Sequence, residues 1–169
     1  MPDRLAQLLG ALSLAATDRF RSAVEGSLGR AGAHAAALVH LHVHPGASVR
    51  ALAAVLGVSQ PAAVKIVDRL AGDALLERRP GADRRALALR LTNAGRAQAV
   101  RILAGRAGEL TGLLAVLDAE ERERLEPLLE KLVASLAQEL PGALAVCRLC
   151  DREACSDSRG GCPLAHTVA

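Results

Sequence analysis

Apolar residues recur every three or four positions over 4–28, with Leu5, Leu8, Leu9, Leu12, Ala16 and Phe20 on one stripe, which predicts a first helix. Gly29 and Gly32 punctuate it, and a second helical run over 33–44 stops at Pro45-Gly46. Ser48 is an N-cap for a short helix over about 49–56, closed by Gly57. Ser59 caps the next run, which reaches about Gly72 and carries Pro61 in its first turn, where a missing N–H costs nothing. Two short helices joined by Gly57-Val58-Ser59 have helix-turn-helix spacing.

The period then changes. Leu75–Arg79 and Ala86–Leu91 read as two short strands around the turn-rich tip Pro80-Gly81-Ala82-Asp83-Arg84-Arg85, a β-hairpin placed as the wing of a winged helix. Thr92 caps a long helix whose stripe is Val100, Leu103, Ala107, Leu110, Leu114 and Leu117. Asp118-Ala119-Glu120-Glu121 resembles a capping box and opens a last long helix, striped by Leu125, Leu128, Leu129, Leu132, Val133 and Leu136. Pro127 lies inside that run and predicts a kink or a fresh helix start. Pro141-Gly142 ends it, and no internal repeat is visible.

Charge follows these divisions. Residues 48–96 hold nine basic and four acidic side chains, net +5, and residues 118–139 hold three basic and seven acidic, net −4, within a chain of 169 residues at only +3 overall. The basic block coincides with the helix-turn-helix and wing. Phe20 is the sole aromatic of the Phe, Tyr and Trp set, which excludes stacking platforms for single strands or RNA loops and aromatic cages for cations.

Plotted at 100° per residue, Ala63, Ile66, Val67 and Leu70 form the inward face of the second short helix. Pro61, Lys65, Asp68 and Arg69 point away, with Ser59, Gln60 and Ala62 at its N-terminal end. A helix that reads duplex DNA needs this division. Gln60 suits adenine, Lys65 and Arg69 suit guanine or phosphate, and Ala62 suits a thymine methyl. Taken alone the pattern equally describes a solvated face. Arg84 and Arg85 at the hairpin tip have no core role, and arginine enters narrow minor grooves; Asp83 is placed to orient one guanidinium.

The runs Ser48-Val49-Arg50-Ala51-Leu52-Ala53, Leu56-Gly57-Val58-Ser59-Gln60-Pro61, Val67-Asp68-Arg69-Leu70, Leu76-Glu77-Arg78-Arg79-Pro80, Asp83-Arg84-Arg85-Ala86 and Leu91-Thr92-Asn93-Ala94-Gly95-Arg96 resemble the MarR family of bacterial transcription factors. The resemblance spans roughly residues 3–140. It implies a mainly α fold with a small β-hairpin wing, a winged helix-turn-helix in an intertwined helical homodimer. The expected divisions are dimerisation helices over 1–46 and 93–140, the DNA-binding region over 47–92, and a cysteine-rich metal-binding tail over 141–169. It also implies recognition helices in successive major grooves of a near-palindrome, wing arginines in the flanking minor groove, and repression relieved by a ligand, metal or oxidant. Ser59, Gln60, Ala62, Lys65 and Arg69 match the reading helix, and Asp83-Arg84 the wing pair. Pro127 and the cysteine tail depart from the family pattern.

All four cysteines, Cys147, Cys150, Cys155 and Cys162, fall in the last 23 residues. Four thiols so close suit one tetrahedral zinc, an iron–sulphur cluster or thiol–disulfide sensing, against free thiols in a loose tail. His166 is a further possible ligand. Because the tail follows the last long helix, such a centre is expected near the dimer body rather than the DNA surface. His34, His40, His42 and His44 offer a second metal set, but His42 points nearly opposite His40 and His44 on a helix, and the bland reading is surface and pocket-lining histidines. No phosphate loop, nucleophile elbow or paired carboxylates in an apolar setting occur, so enzyme activity is not expected. No targeting signal and no apolar run of spanning length is present, which predicts a cytoplasmic protein without a membrane partner. A redox protein built on the cysteines, and a dimeric interaction module without DNA binding, are the rival classes.

Overall fold

The computed structural model describes residues 3–28, 32–80, 87–139, 143–151, 154–155, 162 and 164. Within them the order is α1 (Arg4–Leu28), α2 (Ala33–Val43), α3 (Val49–Leu56), α4 (Gln60–Gly72), β1 (Leu76–Pro80), β2 (Leu87–Leu91), α5 (Asn93–Leu114), α6 (Ala119–Glu139) and α7 (Ala143–Val146). The short α7 was not foreseen.

The core is organised around α2, in which every residue from Ala35 to Leu41 is buried. A helix apolar on all sides must be surrounded, and α5, α3, α4 and β2 pack against it. Leu38, Leu41, Leu52, Val67, Leu70, Leu89 and Ile102 join in one buried cluster.

Local chemistry sets the helix-turn-helix. The Ser48 hydroxyl accepts from the Ala51 N–H at 3.1 Å, and Ser59 accepts from Ala62 at 3.4 Å. Between them Gly57 takes φ 65, with Gly57 N–H to the Ala54 carbonyl at 3.2 Å and Val58 N–H to that of Ala53 at 3.1 Å. This is a Schellman close, and its left-handed residue favours glycine. The α3 and α4 axes turn by 108° across it, within the usual helix-turn-helix range. The end of α4 repeats the motif, with Leu75 N–H to Leu70 at 2.9 Å and Ala74 N–H to Ala71 at 3.0 Å, but the left-handed position is Ala74 at φ 57.

The hairpin pairs Leu76 with Leu91 and Pro80 with Leu87, the first strand starting one residue later than expected; Ala86 lies outside the described residues. Gly46 donates to Leu89 at 2.8 Å and Leu89 to Ala47 at 3.1 Å, so the chain before α3 extends the ladder.

Thr92 joins the wing to α5. Its hydroxyl accepts from Gly95 N–H at 3.0 Å and donates to the Ala74 carbonyl at 2.8 Å. Its N–H bonds the Leu75 carbonyl at 3.1 Å. The buried face of α5 is Gly95, Gln98, Ala99 and Ile102, which corrects the expected stripe: Val100 is 52% exposed. The packing of α1 and α2 on α5 selects the former face.

Asp118 and Glu121 form the expected capping box, each carboxylate accepting the other's N–H at 2.9 Å. Beyond it α6 continues through Pro127 rather than restarting there. Glu123, whose carbonyl loses its helical donor to the proline, is exposed and can turn to water. Leu5, Leu8, Leu9 and Leu12 of α1, and Leu128, Leu129, Leu132 and Leu136 of α6, are exposed. Among the described residues no single helix is long and apolar enough to cross a membrane.

A Cβ at Gly95 would stand 1.9 Å from the Leu75 carbonyl oxygen. Gly95→Ala is therefore expected to destabilise the fold by about 2–3 kcal/mol in chemical denaturation. Ala74→Gly, at the strained turn beside it, is expected to stabilise by roughly 0.5–1 kcal/mol. Opposite signs at either position would mean that the turn and α5 are not pressed together as described.

Candidate nucleic-acid interface and cysteine cluster

The expected division of α4 is present. Ala63, Ile66, Val67 and Leu70 are buried, while Gln60, Pro61, Lys65, Asp68 and Arg69 are exposed. Ala62 is half-buried. Ser59 is exposed, and its hydroxyl is engaged as the cap. Val64, 38% exposed on the outer side, went unnoticed in the sequence. Its place on the helical wheel, away from the inward four, was the signal that could have found it.

Ion pairs decide which charges on this face remain available. Arg78 Nη2 lies 2.5 Å from Asp68 Oδ1, tying β1 to α4 and neutralising the one acid between Lys65 and Arg69. Arg69 Nε is 3.6 Å from Asp73, and Arg79 is 2.8 Å from Glu77. Lys65 enters no ion pair among the described residues. Asp83, Arg84 and Arg85 lie outside the described residues.

Two cavities flank the unit. One of about 610 Å³, lined by Leu41, His42, Arg79, Arg90 and Arg96, separates the end of α2 from the base of the wing and the start of α5. Another of about 600 Å³ is lined by His42 and Val43 of α2, Leu103 and Ala107 of α5, and Asp151. His42 borders both, and its Nδ1 is buried without a hydrogen-bond partner among the described residues.

The histidines do not converge. His40 is buried, its ring 4.7 Å from that of His44. Burial, and then the charge of His44, lowers the His40 pKa to about 4. His34, His40, His42 and His44 supply no metal cluster among the described residues.

The thiols do come together. Cys147 and Cys162 both pack against Leu164, and the Cys150 thiol donates to the Asp151 carbonyl at 3.6 Å. A hydrogen bond from Cys150 holds Cys147 below the usual thiol range and raises Cys150. Burial, and then Cys150, pushes Cys155 up to about 11. The positive charge of Arg106, on α5, favours the ionised forms of Cys147 and Cys150. These contacts run pairwise, and as the side chains stand no three His, Cys, Asp or Glu groups among the described residues are placed to hold an ion. His166 lies outside the described residues.

The MarR family profile matches residues 28–86. The chain is similar to the YusO protein from Bacillus subtilis, with 27% identity, 76% of this chain and 91% of that one covered, and a TM-score of 0.66. It is also similar to the MarR family protein RV2887 from Mycobacterium tuberculosis, with 26% identity, coverage of 76% and 93%, and a TM-score of 0.62. RV2887 has been solved in complex with salicylic acid. MepR, a transcription regulator of the Staphylococcus aureus multidrug efflux pump MepA, shares the fold, with 20% identity, coverage of 78% and 97%, and a TM-score of 0.68. No curated protein matches the sequence.

His40 gives a pH prediction. Its folded pKa, about 4, lies below the ordinary 6.5, so the unfolded chain binds the extra proton between those values. Its contribution is complete above pH 6.5 and lost as pH falls toward 4, by about 3 kcal/mol at most. The difference in stability between the protein and its His40→Gln variant is expected to shrink over that window. A constant difference would show that His40 is not buried in its neutral form.

Proposed function

We propose, from the premise that this winged helix is of the MarR family, that the chain is a regulator of transcription that binds a near-palindromic operator as a homodimer, and that it represses. The observation that carries this reading is the outer face of α4, polar and exposed over an apolar back, beside a hairpin and within a segment of net +5. Gln60, Lys65 and Arg69 read or grip the major groove, with Ser59 and Ala62 at its edge and Val64 on a thymine methyl. Arg84 and Arg85, with Asp83 orienting a guanidinium, take the minor groove.

A second copy covers the exposed leucines of α1 and α6, since apolar faces of that extent mark an interface. The two cavities support a small-molecule effector, as RV2887 takes salicylic acid. The four cysteines hold one metal centre per chain, zinc, or alternatively an iron–sulphur cluster that switches DNA binding. The protein acts in the cytoplasm, on double-stranded DNA and without a membrane partner, as a regulator and not an enzyme.

Titration of a labelled duplex from the protein's own promoter region is the test. Affinity is expected to fall steeply with salt, because phosphate contacts release counterions. Arg84→Ala is expected to cost about 1–3 kcal/mol of binding with an unchanged melting temperature, and Gln60→Ala to lose discrimination at one base pair. Absence of binding to any such fragment at moderate salt, metal-loaded or metal-free, would overturn the reading. An Arg84→Ala variant with full affinity would remove the wing from it.

A further inference from the structure

Arg78 stands where the wing calls for an apolar residue. Side chains opposite each other in an antiparallel pair share a face, and Arg78 pairs with Leu89 while Leu76 pairs with Leu91. Leu76, Leu89 and Leu91 are all buried, so Arg78 shares the core-facing side of the hairpin. An arginine so placed carries its charge out along its apolar stem. Its guanidinium emerges at α4, on Asp68, with 32% of the side chain exposed. Glu77 and Arg79, on the other side of β1, pair with each other instead.

The outer face of α4 is where this pairing matters. Asp68 is 56% exposed and shares a surface groove with Lys65, Arg69 and Asp73. Lys65 lies three residues before it, a spacing at which side chains on a helix meet. Left alone, the Asp68 carboxylate would draw the Lys65 ammonium to itself. It would also set a negative charge against any phosphate that approaches this face. The Arg78 pair prevents both, and Lys65 enters no ion pair among the described residues. Partly exposed pairs add little to stability, so the consequence of this one falls on binding.

We propose that Arg78 is a positioning residue for duplex recognition: by holding the Asp68 carboxylate it keeps Lys65 free and leaves the outer face of α4 open to a polyanion. This rests on α4 being the DNA-contacting helix, as given above, and adds what its one central acid and the base of the wing do there. Arg78 acts through Asp68 and not by gripping DNA, because its guanidinium is already engaged.

A double-mutant cycle on the full-length protein tests this, with affinity for a labelled duplex from the protein's own promoter region, its salt dependence and the melting temperature as readouts. Arg78→Ala is expected to weaken binding about tenfold with little change in melting temperature. Asp68→Asn alone is expected to stay within about threefold of the wild type, since an amide neither repels phosphate nor captures Lys65. The Arg78→Ala/Asp68→Asn double variant is expected to recover to the same range. Arg78→Ala/Glu126→Gln restores the same net charge at an exposed site on α6, outside the winged helix, and is expected to stay weak. Arg78→Lys, which keeps a cation able to hold the carboxylate, is expected to bind more tightly than Arg78→Ala. If Asp68→Asn does not rescue Arg78→Ala, and the salt slope of the double variant is shallower than that of the wild type by about 0.9, Arg78 grips a phosphate directly and the proposal is overturned. Lost base discrimination in Asp68→Asn alone would overturn it too, because Asp68 would then be reading a cytosine. A fall of melting temperature and binding together in Arg78→Ala, with neither restored by Asp68→Asn, would reduce the arginine to a structural tie and sink the proposal. If the wild type binds no duplex, the DNA reading fails and the proposal with it; missing rescue in a protein that does bind defeats the proposal alone.

Discussion

The Leu75 carbonyl pressed against Gly95 is the constraint on which the rest of the arrangement depends. It accepts the Thr92 N–H at 3.1 Å, and a Cβ on α5 would all but occupy its oxygen. Thr92 holds the same corner through Ala74 and caps α5 in the process. The end of α4, the base of the wing and the start of the long helix therefore meet at one rigid joint. The Arg78–Asp68 pair adds a second tie from β1 to α4; being partly exposed, it contributes orientation more than stability. The joint thereby fixes the pose of α4 relative to α5.

Burial around α2 explains why the joint holds. With Ala35–Leu41 entirely enclosed, α2 is the pillar on which α3, α4, β2 and α5 rest. The chain segregates its remaining apolar surface onto α1 and α6, and its positive charge onto the winged helix. One surface is left suited to a second copy and another to a polyanion. The cysteine segment spans the two, since it rests on α3 and α6 at once.

What was legible in the sequence was what is local. Ser48, Ser59, Thr92 and the Asp118–Glu121 box each fix a helix start through a side chain bonding its own backbone three residues on, and no distant partner is needed to see that. The inward face of α4 followed from periodicity for the same reason. The buried face of α5 was misread because it is chosen by α1 and α2 rather than by the helix: Gln98, a polar residue, is buried where Val100 is not. At Pro127 the helix does not restart, since an exposed turn can lose a hydrogen bond to water without ending the helix. The packing of α7 on α3 was not legible in the cysteine spacing, because only long-range packing decides it.

The claim that two copies of α4 and its wing read one duplex is tested most directly by hydroxyl-radical footprinting of the bound promoter fragment. The account predicts two protected tracts on one face of the helix, their centres about one turn apart. Each is expected to be flanked by a protected minor groove where the wing enters. A single protected tract, or protection without helical phase, would contradict it.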